Sequence, residues 1–429
     1  MQIRSEVIGG GLAGLAAALS TKLANPTHEV VVFEAAKKLQ EIGAGLQITP
    51  NATRLLQKWG VYEELRPLAT EPGTLTVHRY DGTRILARED DLRGTMAQRY
   101  GSPFWDLHRV DLQRALMSRC AKLGIPIRCS SRVVHVAFDE AAVEIEGLGR
   151  EKGDVVVCAE GLWSNTRAQF LGVVSDPVGT GDLAYRISVD TTKLSGPHAE
   201  EIRDFARDGG VNFWIGPGGH VVSYGVRGGD MLNVGLLRPD DLPPDTMKTT
   251  ARPSEVASLL SDWDPFLQRV LTEVKNVNKW KLLYVETLKA WTNGMGTFYM
   301  VGDSCHPMLP YLAQGANSAL EDGAVLGVLL SKVTAPKKQE QLRKASAMYQ
   351  ALRRNRGAEI QKESSRQREA FHLPDGEAQM ARDKTMLEAL ERGPGEGFPS
   401  RWTCPRVQRF LYGYDAYAEA EGAYRRDPF

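Results

Sequence analysis

A glycine turn set between a short apolar strand and an alanine-rich helix constrains this chain more than any other feature. Glu6-Val7-Ile8 reads as a strand, Gly9-Gly10-Gly11-Leu12-Ala13-Gly14 as the turn, and residues 15–24 as a helix of strong helix formers. A second strand follows over residues 29–34, nearly all valine and phenylalanine, as suits a strand buried on both faces. Together they make a parallel βαβ unit of the length that motif requires. Within it Gly9 makes the turn, Gly11 lets a pyrophosphate approach the backbone, and Gly14 lets helix and strand pack closely. The helix start offers unpaired N–H groups and a partial positive charge to phosphate. Glu34 closes the second strand twenty residues beyond Gly14, where a carboxylate accepts hydrogen bonds from a ribose diol. The pattern predicts dinucleotide binding but does not by itself separate NAD from FAD.

Charge and cysteine usage narrow the class. The 53 lysines and arginines balance 53 aspartates and glutamates, so no net field recruits nucleic acid or an anionic membrane surface. Five scattered cysteines (Cys120, Cys129, Cys158, Cys305, Cys404) form no C-x-x-C pair and no metal-spaced cluster. They suit free thiols in a reducing compartment, and no metal site is expected. The first strand begins too close to Met1 for a leader peptide, and no apolar run approaches the roughly 20 residues of a membrane span. A cytoplasmic protein is predicted.

Further along, residues 155–159 and 297–301 are short apolar runs ending in Glu160-Gly161 and Gly302-Asp303, and are expected to be additional central strands of the same sheet. Between them the texture changes. Residues 183–189, 213–215, 220–226 and 231–237 are strand-like, with Gly-Pro-Gly-Gly and Arg-Gly-Gly-Asp between the last three as hairpin turns. The expected fold is α/β: a discontinuous Rossmann-like domain (1–72, 104–175, 286–335) carrying an inserted antiparallel β-sheet substrate domain (73–103, 176–285). A C-terminal helical region (336–429) follows, in which the tail beyond Phe371 is polar, with aromatic patches at Trp402 and Tyr412–Tyr417.

The segment Gly302-Asp303-Ser304-Cys305-His306-Pro307, with Pro310 and Gln314-Gly315-Ala316-Asn317 after it, makes the cofactor specific. Combined with Gly9–Gly14, Glu34, Gly43-Ala44-Gly45, His108-Arg109-Val110-Asp111-Leu112, and Glu160-Gly161 through Arg167, it resembles the FAD-dependent aromatic hydroxylases, or group A flavoprotein monooxygenases. The salicylate-hydroxylase-like members are the most similar. The resemblance implies FAD as bound cofactor. Asp303 is a fixed acceptor for ribitol hydroxyls, or else a helix-capping aspartate. Gly315, Ala316 and Asn317 open a helix whose N–H groups and dipole face the N1/C2=O edge of the flavin. Arg109 is a phosphate or ribitol clamp, or else a surface ion pair with Asp111 or Asp106. Gly45 permits backbone approach to the ring system, or is a plain loop glycine. Glu160 stands where the family usually has aspartate, which leaves NADH versus NADPH open.

No second G-x-G-x-x-G has the strand and helix context. Gly216-Pro217-Gly218 and Gly393-Pro394-Gly395 lack it, so NAD(P)H is expected to bind transiently as cosubstrate. The resemblance implies hydride reduction of the flavin, addition of O2 at C4a, and delivery of oxygen from the hydroperoxide to a small aromatic substrate, phenolic or salicylate-like. Arg186 is the candidate to position or stabilise the substrate anion, sharing a strand face with the small residues Ala184 and Ser188; a solvated strand face is the alternative. Tyr224 either hydrogen-bonds substrate or packs in the core. His220, beside a turn, is expected at the surface, and His306 is expected to shape its loop. Trp214, Tyr299, Met308 and Leu309 are candidates to line an apolar pocket, with core packing their more frequent fate. Competing readings are an FAD monooxygenase epoxidising or hydroxylating an indole or other scaffold in secondary metabolism, a non-catalytic flavoprotein binding partners through its C-terminal region, and a plain NAD-dependent dehydrogenase. Monomer and homodimer both remain open.

Overall fold

Valine-rich runs pair within one central sheet, because each is apolar on both faces and must be covered on both. In a computed structural model describing residues 2–39, 45–173, 175–334 and 337–429, they form a five-stranded sheet. Its order is Phe298–Met300, Val155–Cys158, Arg4–Ile8, Glu29–Phe33 and Ile127–Arg128, and every pairing is parallel. Ile8 sits between Cys158 and Phe33, so the strand ends carrying Gly9, Glu34 and Glu160 converge at one edge. The run near Thr297, expected to be central, lies at the end of the sheet order but remains fully buried. Gly43 and Ala44, from the second glycine segment, lie outside the described residues.

The helix Leu12–Ala24 crosses the sheet against the helix Gln314–Ser331 at backbone contact distance. A side-chain carbon on Gly323 would lie 2.6 Å from the Ala16 carbonyl carbon, and one on Gly327 would lie 2.3 Å from Ser20 Oγ. The small residues on both helices therefore bring their N-termini to the same strand edge.

A second sheet has eight strands, ordered Lys248–Ala251, Val277–Tyr284, Val178–Asp190, Met231–Pro239, Gly219–Val226, Gly210–Gly216, Thr74–Arg79 and Ile85–Glu89. It is antiparallel, as expected, except where Gly210–Gly216 runs parallel to Thr74–Arg79. The period of two places Leu183, Tyr185, Ile187, Trp214, Val221, Leu232, Val234 and Leu236 in one core. That core packs against residues of the helices Ala199–Arg207, Pro253–Leu259 and Pro265–Thr272. The opposite face is left for the cavity described below.

The long helix Lys338–Phe371 and the shorter helices Glu377–Arg392, Pro405–Tyr412 and Ala416–Arg426 return over both sheets. The tail read as polar is anchored by its aromatic residues. Trp402 and Tyr412 are buried with Phe213 and Phe371, and Tyr417 accepts a hydrogen bond from Trp59 Nε1 (3.0 Å). The aromatic patches at Trp402 and Tyr412–Tyr417 supply these anchors.

A buried charge network fixes the long helix to the cofactor-side helix. Glu321 accepts from Arg356 Nη2 (2.8 Å), Arg356 Nε (2.8 Å) and Asn51 Nδ2 (2.6 Å). Its neighbour Asp322 accepts from Arg353 Nε (2.7 Å), the Gly302 amide (2.8 Å) and His306 Nε2. Both carboxyls are fully buried; against the opposing pull of burial, Arg356 and Arg353 hold Glu321, and His306 and Arg353 hold Asp322, below the usual carboxylate range. Removing one partner strands the others in low dielectric. Asp322→Asn should therefore lower unfolding free energy by about 3–5 kcal/mol in urea titration, whereas removing the exposed Arg150–Glu140 pair should cost less than about 1 kcal/mol. Equal costs would contradict the network's role.

Candidate active site

The convergence of helix N-termini and strand ends creates a cavity of about 310 Å³ between the two sheets. One end is backbone: Gly11, Leu12 and Ala13 of the first turn, Ala159 and Gly161 of the middle turn, and Gly315 and Ala316 of the late helix. The three N-terminal glycines differ physically. Gly9 has φ +106°, and a side-chain carbon there would lie 2.4 Å from the Ala159 carbonyl oxygen. One on Gly14 would lie 1.9 Å from the Gly9 oxygen. Gly11 has nothing within 4 Å, so its open side faces the cavity. Neither helix has a side-chain N-cap or an acid in its first turn, so the N–H groups there are left for an anion or a ring carbonyl.

Glu34 stands beside this end, accepting from the Gly10 amide (2.9 Å) and the Ala36 amide (2.8 Å). Arg109 and Asp303 open into the cavity. Among the described residues neither has an ion pair or hydrogen bond, because Asp111 is taken by Arg227 (2.8 Å to each oxygen) and Asp106 by Gln47 (2.9 Å). The surrounding protein raises the Asp303 carboxyl above the ordinary range by desolvation. Open glycine backbone, uncapped helix ends, a carboxylate at the second strand and an unpaired arginine–aspartate pair together fit a bound dinucleotide.

Other predicted residues are placed differently. Asn317 does not line the cavity. Its amide donates to Gln47 O (3.0 Å) and Ala313 O (2.6 Å) and accepts from the Thr49 amide (3.0 Å), so it braces the strand Gly45–Ile48. Glu160 turns inward, accepting from Ser164 Oγ (2.7 Å) and the Thr166 amide (2.9 Å); it organises the middle turn through its side chain. Arg167 is buried beneath that turn, donating to Leu162 O (2.8 Å) and Ser304 O (3.2 Å). Gly45 lines the cavity, but its close contact is with the second sheet: a side-chain carbon would lie 2.6 Å from Asn233 Cγ and 2.7 Å from Tyr224 Cε2.

The other end of the cavity is built from side chains of the second sheet. Ala184 and Arg186, Phe213, the alternate residues His220, Val222 and Tyr224, and the alternate residues Asn233, Gly235 and Leu237 face inward. Arg186 carries its guanidinium 5.0 Å from the Trp280 ring centre, and among the described residues no carboxylate pairs it. Burial lowers the Arg186 pKa and raises that of Tyr224. Of the four residues considered for an apolar lining, only Met308 lines it. Trp214 faces the opposite side and donates to Asp264 Oδ2 (2.8 Å), Tyr299 lies in the first core, and Leu309 packs beside Trp280 without reaching the cavity. His306 is locked to Asp322 below the Gly302 turn, a shaping role.

His220 is not at the surface. It lines the cavity at 3% exposure, with Nδ1 2.8 Å from Nε2 of His372, the residue that ends the long helix. The turn beside it is covered by the C-terminal helices, which local sequence could not reveal. Trp402 and Tyr311 close the same corner, and Trp402 Nε1 donates to Tyr311 O (3.0 Å). Sequence reasoning missed Asn233, Gly235, Leu237, Tyr311, Trp402 and His372. The alternation of Leu232, Val234 and Leu236 with Asn233, Gly235 and Leu237 was a usable signal for three of them.

Residues 3–364 match the family described as FAD binding domain. The chain is 47% identical over 419 residues to FAD-dependent monooxygenase OpS4 of Beauveria bassiana (strain ARSEF 2860), covering 97% of this chain and 96% of that protein. It is 31% identical over 387 residues to 3-amino-4-hydroxybenzoate 2-monooxygenase PtmB3 of Streptomyces platensis, covering 90% and 93%. A salicylate hydroxylase substrate complex shares the fold with a TM-score of 0.77 at 22% identity, covering 98% of each chain. Among the described residues no helix is long and apolar enough to cross a membrane, and no group of side chains is arranged to hold a metal ion.

Two predictions follow from this geometry. Asp303→Ala should leave the fold intact but weaken FAD retention by roughly 10-fold or more, as loss of a charged acceptor implies; unchanged flavin content after dialysis would refute its role. The histidine pair should make stability pH-dependent. Burial lowers His220 well below 6.5 and His372 to about 4, so between that value and 6.5 the unfolded chain binds more protons than the native one. Stability should then fall on acidification from pH 7 toward pH 5, by up to about 1.4 kcal/mol per pH unit for each histidine. The His220→Gln/His372→Gln double variant should flatten this slope in urea titrations, and an unaltered slope would contradict the assignment.

Proposed function

This chain belongs to the FAD binding domain family, as an FAD-dependent monooxygenase of the aromatic hydroxylase type, and we propose that it uses NAD(P)H and O2 to hydroxylate a small, electron-rich aromatic acid or phenol. The observation carrying this reading is Arg186: a half-buried cation that faces the cavity and, among the described residues, has no carboxylate partner. Leaving a buried charge unpaired is costly unless a ligand supplies the counter-charge. A phenolate or carboxylate does so; a neutral indole does not.

FAD, when bound, supplies acceptance of hydride from NAD(P)H and activation of O2. The residues that would hold it are Gly9, Gly11 and Gly14, Glu34, Arg109, Asp303, and the helix-end amides of Gly315 and Ala316. Glu160 and Asn317 contribute by fixing the turn and strand around them. Arg186 orients the substrate anion. Tyr224 and Asn233 offer hydrogen bonds along one side of the ring. His220, kept neutral by burial, has Nε2 as acceptor for a substrate hydroxyl proton in the tautomer whose Nδ1–H donates to His372 Nε2, and taking that proton makes the ring more electron-rich. Phe213, Val222, Leu237, Met308 and Trp402 exclude water around the reacting ring.

The C-terminal region supports catalysis over a partner-binding role, since Trp402 and His372 both bear on the cavity. A plain NAD-dependent dehydrogenase is set aside by the FAD family match.

Purified protein should carry flavin and should oxidise NAD(P)H faster when hydroxybenzoates are added, with one atom of labelled O2 in the product. Arg186→Ala should retain flavin yet lose roughly 10- to 100-fold in kcat/KM, the worth of one charge-assisted contact. Undiminished product yield from that variant would overturn the assignment.

A further inference from the structure

Gly235 has no backbone reason to be glycine. It lies inside the strand Met231–Pro239, in the middle of the eight-stranded sheet, where glycine costs conformational entropy and packs nothing. Its φ is not in the left-handed region. Three glycines on the next two strands are fixed by contact: a side-chain carbon would lie 2.5 Å from Tyr80 Cβ at Gly216, 2.7 Å from Leu237 O at Gly219, and 2.0 Å from Ala206 O at Gly225. At Gly235 the nearest atoms are Val222 Cγ1 at 3.4 Å and Leu237 Cδ1 at 4.0 Å, both on cavity-lining side chains. The space a side chain would fill is the cavity itself.

The register places this gap. Gly235 is directly opposite Arg186 on one neighbouring strand and Val222 on the other, and Val222 is in turn opposite Phe213. One row across the cavity floor therefore reads cation, glycine, valine, phenylalanine, and Trp402 follows with its ring 5.3 Å from that of Phe213. With neighbouring strands about 4.8 Å apart, this row is roughly 14 Å long, room for a planar aromatic body with its charge at one end.

We infer that Gly235 is a specificity-determining residue whose missing side chain forms the floor under the substrate ring. The substrate is a planar aromatic acid, its anionic group at Arg186 and its apolar edge toward Phe213 and Trp402. This rests on the function proposed above and adds to it the orientation and the residue that sets the thickness of the slot.

The test uses the FAD-loaded protein, with salicylate and 3-hydroxybenzoate as probes and binding read from the change in flavin absorbance or fluorescence. Gly235→Ala should keep bound FAD and a thermal midpoint at or above that of the native protein, because alanine loses less entropy in a strand. It should nevertheless weaken probe binding about 10-fold, with Gly235→Val about 100-fold, the scale of overpacking converted to affinity. A structural role would move the two readouts together; a floor role moves them apart. Trp402→Ala should raise affinity for a hydroxynaphthoate relative to the single-ring probes, since it opens the far end of the row. Probe affinities unchanged in Gly235→Ala, against a native protein that binds them, would overturn this inference alone. A native protein that retains FAD but binds no aromatic acid would overturn the functional reading beneath it.

Discussion

Two adjacent carboxylates, Glu321 and Asp322, sit fully buried about two turns into the helix Gln314–Ser331, and much of the architecture follows from satisfying them. Each needs cations and N–H donors on more than one side, so the helix must lie where Arg353, Arg356 and Asn51 reach it from two directions. Asp322 also accepts the Gly302 amide, which fixes the Gly302-Asp303 turn relative to the helix. The same ion set therefore sets the place of the helix end and of the Asp303 carboxyl. Replacing such a cluster with apolar residues need not cost stability. What the charges contribute is position: hydrogen-bond geometry admits far fewer arrangements than apolar packing does.

The cavity follows from where two differently constructed layers meet. The parallel sheet presents strand ends and helix N-termini, which are backbone features and suit phosphates, ribose and a ring carbonyl. The antiparallel sheet presents alternate side chains, which suit a small molecule's particular shape and charge. Gly45 marks the seam, its amide donating to Asn233 Oδ1 at 3.0 Å. A larger residue there would push the layers apart. The long helix closes the seam from the other side: Arg368 pairs with Asp182 at the bend of the strand Val178–Asp190, and Tyr311 donates to the same carboxylate. The helix that braces the cofactor end thus also carries His372 to the substrate end.

Legibility in the sequence tracks this division. The cofactor end is written in short segments, because turns and helix starts depend on neighbours within a few positions; Gly9, Gly11, Gly14, Glu34 and Asp303 could be read locally. The side chains of Asn317 and Glu160 are engaged by the fold, in contacts with Gln47, Thr49, Ser164 and Thr166 that no short segment announces. The substrate end depends on register between distant strands. The sequence showed that Arg186 shared a face with Ala184 and Ser188, yet nothing local showed that Gly235 lay opposite it or that Trp402 arrived from more than two hundred residues away. His220 was misplaced for the same reason, since its cover is the distant residues Phe371 and His372. The paired acids Glu321-Asp322 inside an apolar helix were visible and went unused; two adjacent charges in such a run demand buried partners.

The pairing of charge separates the parts of the molecule that hold it together from the parts proposed to receive a ligand. Arg167, Arg353, Arg356 and Asp182 are each engaged by two or more groups. Arg109, Arg186 and Asp303, among the described residues, have neither ion pair nor hydrogen bond, and all three face one cavity. Arg186 is half-buried and Arg109 and Asp303 are exposed where they line the cavity, so all three are accessible to bound ligands. Arg109 and Asp303 lie at the backbone-lined end, where a dinucleotide supplies phosphates and hydroxyls. Arg186 lies opposite Gly235, where the proposed substrate would sit. Under the proposed function, the distribution of unpaired charge matches two ligands in one cavity, a resident cofactor and an anionic guest.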